Sequence, residues 1–130
     1  MSLPNEIPTL LIIEDEKTII TLLSAILNGC FRIIFATTYN DAVEYIIRYH
    51  NEVCGVLLDG RLHEEETVSL IHLLKEYRFD KKIIAMSGNP ETQKDLIRNG
   101  CFEHGLSKPF DVAKVWEVLK IAELTSNRTT

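Results

Sequence analysis

The stretch Gly55-Val56-Leu57-Leu58-Asp59-Gly60 decides the fold. Three apolar residues run straight into a carboxylate and stop at a glycine. A short unbroken apolar run of this kind suits a strand buried on both faces of a parallel sheet. Open α/β sheets bind their ligands at the carboxyl ends of strands, which is where Asp59 falls. An Asp-Gly pair by itself signals only a turn. It gains meaning because other strand-like runs in the chain also deliver chemically capable residues.

Upstream, Thr9-Leu10-Leu11-Ile12-Ile13 leads into Glu14-Asp15-Glu16. Downstream, Lys81-Lys82 introduces Ile83-Ile84-Ala85-Met86, which ends at Ser87-Gly88. A weaker strand within residues 101–106 leads into Ser107-Lys108-Pro109-Phe110, and residues 31–36 form one further strand. Helical spacing fills the gaps. Ile19, Ile20, Leu23, Ile26 and Leu27 mark a first helix closed by Asn28-Gly29. Ala42, Val43, Ile46 and Ile47 mark a second, running to about Tyr49, and Val68, Ile71, Leu74 and Tyr77 form the buried stripe of a third. Asn89-Pro90-Glu91 opens a short polar helix that Asn99-Gly100 ends. Asp111 caps the last helix, whose stripe is Val112, Val115, Trp116, Leu119 and Ala122.

The order is therefore βα repeated five times. It predicts an α/β fold, a doubly wound five-stranded parallel sheet with helices on both faces. A flavodoxin-like strand order, 2-1-3-4-5, puts the switch point between the first and third strands, beside Asp15 and Asp59. One domain is expected over residues 9–124, with a loose arm at 1–8 and a polar tail at 125–130.

Composition narrows the function classes. A hydrophobic fraction of 45% and a charged fraction of 25% are those of an ordinary globular protein. No apolar run approaches the roughly 18 residues that span a bilayer, and no signal peptide opens the chain, so a cytoplasmic location without membrane contact is expected. The net charge of −5 argues against direct binding to nucleic acid. Cys30, Cys54 and Cys101 read as reduced, buried, small hydrophobes, and the four histidines show no metal-ligand spacing. No glycine-rich phosphate loop follows the first strand, which weakens any flavin- or nucleotide-binding reading.

Strands of a parallel sheet share one carboxyl edge, so Glu14, Asp15, Asp59, Ser87 and Lys108 gather there. Three crowded carboxylates repel unless a cation joins them, and an all-oxygen donor set suits Mg²⁺. Lys108 adds a positive charge, Ser87 a hydroxyl, and Gly88 leaves room for an approaching group. Together these groups suit phosphoryl transfer to a carboxylate. Each piece alone has a plainer reading. Glu14-Asp15-Glu16 is a solvated helix start, Ser87-Gly88-Asn89-Pro90 a turn, and Lys108-Pro109 a lysine before a helix.

Over nearly its whole length the chain resembles the response-regulator receiver domains, the CheY-like family. Glu14-Asp15 matches the family's acidic pair, Asp59 its phosphoacceptor, Ser87 its hydroxyl, and Lys108-Pro109-Phe110 its lysine-proline motif. The resemblance implies a non-enzymatic signalling domain in which Asp59 takes a phosphoryl group from a histidine kinase or phosphotransfer protein. It implies Mg²⁺ on Asp15, Asp59 and the backbone carbonyl of Arg61, with Glu14 acting through water. It also implies a downstream effector domain or protein, and it allows a homodimer.

Three features depart from the family pattern. Leu62-His63 replace a frequent Met-Pro pair, and Arg61 is a large cation beside the acceptor. Gly105 stands three residues before the lysine, where the family carries a switching aromatic; counted with one extra residue, His104 takes that place. A receiver-like binding module that does not switch is therefore the alternative reading.

Overall fold

The computed structural model describes residues 7–59, 64–87 and 104–121. Five strands and four helices lie in that span: β1 (Thr9–Ile13), α1 (Lys17–Leu27), β2 (Arg32–Ala36), α2 (Tyr39–Tyr49), β3 (Val53–Asp59), α3 (Glu64–Glu76), β4 (Lys82–Ser87), β5 (His104–Ser107) and α4 (Val112–Ile121). The expected arm at 1–6, Arg61 with its neighbours, the polar helix after Asn89, Cys101, Phe102, Ala122 and the tail lie outside the described residues.

All strand pairs are parallel, as the alternation predicts, and the order is β2-β1-β3-β4-β5, the expected flavodoxin-like order. β3 is central and carries the burial that its sequence demands, with Val56, Leu57, Leu58 and Asp59 all buried. It begins two residues earlier than the apolar run suggests. Its pairing with β1 steps from Thr9↔Val53 to Leu10↔Gly55, so Cys54 is an extra, bulged residue.

Alternation along each strand divides the core in two. Leu10, Ile12, Leu57, Ile84, Met86 and Leu106 face α1 and α4, where they meet Leu23, Leu27, Val115 and Leu119. Leu11, Ile13, Val56, Leu58 and Ala85 face α2 and α3, where they meet Ala42, Ile46, Leu70 and Leu74. Each helix pair thus covers one face of the sheet.

Two expected helix stripes need correction. In α3, Ile71 and Leu74 are buried, but Val68 is 36% exposed and Tyr77, just past its end, 37%, and Thr67 and Leu70 take the inward positions. Steps of three residues turn a helix about 300°, so a run at 68, 71, 74 and 77 drifts off the face at both ends. Val112, the first residue of α4, is 53% exposed although it shares a helix face with the buried Leu119. Trp116 is half-buried and stacks on Phe31 with ring centroids 6.4 Å apart. Cys30 and Cys54 are unbridged, as expected, but half-buried rather than buried.

Connections are closed by local chemistry. Gly29 adopts φ +81° after α1, the left-handed geometry that glycine tolerates. Thr38 caps α2, its Oγ1 accepting from the Asp41 backbone N–H at 3.0 Å.

Candidate functional site

The carboxyl ends of β1, β3, β4 and β5 lie side by side, and each delivers one polar residue or a short run of them. β1 ends before Glu14 and Asp15, and β3 ends in Asp59. β4 ends in Ser87, and β5 runs into Lys108. Glu14 is fixed by its backbone N–H, which donates to the Ala36 carbonyl of neighbouring β2 at 3.0 Å. Lys108 is fixed likewise, its N–H donating to the Ser87 carbonyl at 2.7 Å.

Glu14, Asp59 and Ser87 are buried, with 1%, 2% and 4% exposure, whereas Asp15 is exposed. Lys108 reaches across the strand ends to two of the acids. Its Nζ donates to Glu14 Oε1 at 2.9 Å and to Asp59 Oδ1 at 3.2 Å. The other Glu14 oxygen, Oε2, accepts from the Glu16 backbone N–H at 3.1 Å. Burial pushes the Glu14 carboxyl above its ordinary range, and the Asp59 charge adds to this. The bonds from Lys108 and Glu16 pull it down, but desolvation outweighs them.

One carboxylate oxygen each from Glu14, Asp15 and Asp59 lies within 4.8 Å of the others. Such an all-oxygen donor set, with one exposed member that an incoming ion can reach, fits a hard divalent cation such as Mg²⁺. A partly open cavity of about 30 Å³ adjoins these acids and is also lined by Ile13, Ala36, Thr37 and Thr38. The two threonines were not singled out from the sequence. Their signal was available, since they directly follow β2 and so stand on the same rim.

The register around Ser87 fixes what stands at the aromatic position. Ala85 pairs with Gly105, and Ser87 pairs with Ser107. Leu106 packs on the α1/α4 side and Ala85 on the other. Alternation therefore sets His104 on the face of Leu106, away from Ser87, and Gly105 on the face of Ser87. Among the described residues of β5, no aromatic shares the Ser87 face. Arg61 and Gly88 lie outside the described residues.

No family model matches the chain, and no curated protein is found similar to it in sequence. Solved structures are similar along nearly its whole length. The signal receiver domain of an HD domain-containing protein from Pseudomonas fluorescens superposes with a TM-score of 0.76 at 20% identity, covering 94% of this chain and 98% of that one. A response regulator receiver domain protein from Clostridium thermocellum gives 0.77 at 15% identity, covering 95% and 100%. A response regulator from Thermotoga maritima gives 0.75 at 23% identity, covering 90% and 98%. The fold is that of the CheY-like response-regulator receiver domains.

Proposed function

We propose that this chain is a phosphoacceptor domain of a two-component relay, with Asp59 as the acceptor. The observation that carries the reading is the Lys108 ammonium, its side chain only 10% exposed, bridging the buried Glu14 and Asp59 at the ends of separate strands. Buried charges held this way are costly to a fold, and they recur where chemistry needs them. In the transfer, an Asp59 carboxylate oxygen attacks the phosphorus, the P–N bond to the donor histidine breaks, and the imidazole leaves with the electron pair. Lys108 lies within reach of the phosphoryl oxygens, and Ser87 offers them a hydroxyl. Asp15 and Asp59, with Glu14 beside them and the carbonyl of Arg61 as the resemblance implies, are the residues that would hold Mg²⁺. Bound there, the ion would relieve carboxylate repulsion and offset phosphoryl charge.

The receiver unit comprises residues 9–124, flanked by short segments at 1–8 and 125–130. Its donor is a histidine kinase or phosphotransfer protein, and its output is a population shift at a surface that an effector or a second copy reads. It turns over no substrate beyond its own acyl phosphate. Among the described residues no helix is long and apolar enough to cross a membrane, and cytoplasmic partners suit the reading.

One observation favours a second reading, a constitutive binding module. Gly105, on the face of Ser87, supplies no ring to carry a movement of that hydroxyl outward. Incubation with Mg²⁺ and acetyl phosphate, followed by intact-mass measurement, separates the two. A phosphoryl adduct that Asp59→Asn abolishes is expected. No adduct on the wild type, where a control receiver is modified, favours the module. An adduct that survives Asp59→Asn moves the acceptor elsewhere.

A further inference from the structure

Glu14 and Asp15 are adjacent in sequence, yet the structure uses them differently. The Glu14 side chain has no exposed surface, and both its oxygens are already bonded, Oε1 to Lys108 and Oε2 to the Glu16 N–H. Asp15 is exposed at the rim. The lysine is closer to Glu14, at 2.9 Å, than to the acceptor Asp59, at 3.2 Å.

The two lysine partners also fare differently in the reaction. Transfer turns the Asp59 carboxylate into an acyl phosphate, so the group that Lys108 contacts there changes in charge and shape. The Glu14 carboxylate is unchanged throughout. It is anchored through its backbone to β2 and through Oε2 to the start of α1, so its position does not depend on the acceptor's state. We propose that Glu14 is a positioning residue, which keeps the Lys108 ammonium aimed at the acceptor before and after transfer and acts through that lysine. This rests on the phosphoacceptor reading of Asp59.

A metal-associated role for Glu14 makes a different prediction, and a double-mutant cycle distinguishes the two. Phosphorylation by acetyl phosphate is followed at saturating Mg²⁺ in wild type, Glu14→Gln, Lys108→Met and the double variant. Glu14→Gln is expected to lower the saturated rate about tenfold, as for loss of a charge-assisted contact, while the double variant matches Lys108→Met within about twofold. Full recovery of the Glu14→Gln rate once Mg²⁺ saturates overturns the proposal. So does a double variant that loses the product of the two single effects. If the wild type takes no phosphoryl group, the underlying reading fails instead. The pair is then tested by urea unfolding in EDTA, with neither metal nor donor. Glu14→Gln should raise the midpoint more in the Lys108→Met background than in wild type, and equal shifts would show that Glu14 does not act through Lys108.

Discussion

The two ends of the sheet are built on opposite terms. Crossover helices run antiparallel to the strands they connect, so helix starts lie at the carboxyl end of the sheet and helix ends at the amino end. At the carboxyl end the chain gathers the buried Glu14 and Asp59 around the partly buried Lys108, and α1 begins after Glu16 without a side-chain cap bond. At the amino end it closes its termini. The His50 Nδ1 lies 3.0 Å from the Ile46 carbonyl, and because a carbonyl only accepts, that nitrogen carries the proton. The His50 ring packs on Tyr77 at 4.4 Å. α3 ends with Phe79 N–H donating to the Leu74 carbonyl and Arg78 N–H to the Lys75 carbonyl, both at 2.9 Å. One end gathers charge against its own electrostatics, and the other is organised for closure.

The largest test of that contrast is Lys108→Met. Removing one partner from a buried ion pair leaves the others uncompensated, and here Glu14 and Asp59 would face each other without a cation. A loss of about 3 kcal/mol in EDTA is expected from urea unfolding, with part regained as Mg²⁺ is added. A variant as stable as wild type would mean that the carboxyl end carries no electrostatic burden.

Glu14→Gln sharpens the same point through its pH dependence. The folded carboxyl titrates above its ordinary value near 4.5, because burial disfavours the charge. The folded chain then binds more protons than the unfolded one between those two titrations, so stability falls as pH rises through that window. Glutamine cannot titrate. The stability of Glu14→Gln relative to wild type should therefore grow from pH 4.5 up to the folded titration and stay flat above it. A difference that shrinks with rising pH would show the ionised form to be favoured by the fold. Thr38→Ala tests a capped helix start at the same end, where loss of the bond to Asp41 N–H should cost about 1 kcal/mol.

Legibility from the sequence follows the same division. Long-range order came through well, because unbroken apolar runs specify buried parallel strands and their ends specify a shared edge. Asp59 and Lys108 could be assigned to that edge from the sequence alone. Their contact could not, since it joins residues 49 positions apart, and the tighter one to Glu14 joins residues 94 apart. Adjacent acids such as Glu14 and Asp15 look equivalent in sequence, and only the turn after β1 buries one and exposes the other. The phase of α3 was misread because Val68 and Tyr77 are apolar enough to suggest burial, while Thr67, which is buried, is not. Whether Gly105 or His104 faces Ser87 depended on where β5 begins, a question of register rather than composition.

The amino end offers the smallest test. Arg78 has φ 58°, in the left-handed region where helices usually end on glycine. Nothing in the sequence announces this terminus, because the residue that closes it is not the usual one. The surrounding geometry is complete nonetheless, with both backbone bonds made and Phe79 and Leu74 packed in the same core. An L-residue with a Cβ costs roughly 1–2 kcal/mol in this conformation. Glycine removes that strain but adds roughly 0.5–1 kcal/mol of unfolded-state entropy. Arg78→Gly should therefore stabilise the chain by about 0.5 to 1 kcal/mol, read as a higher urea midpoint with an unchanged slope. At the carboxyl end, relief of the buried charge should come with loss of phosphorylation. At the amino end, relief of the backbone should leave the rate of adduct formation unchanged. A slower rate in Arg78→Gly would tie the two ends together and dissolve the distinction between them.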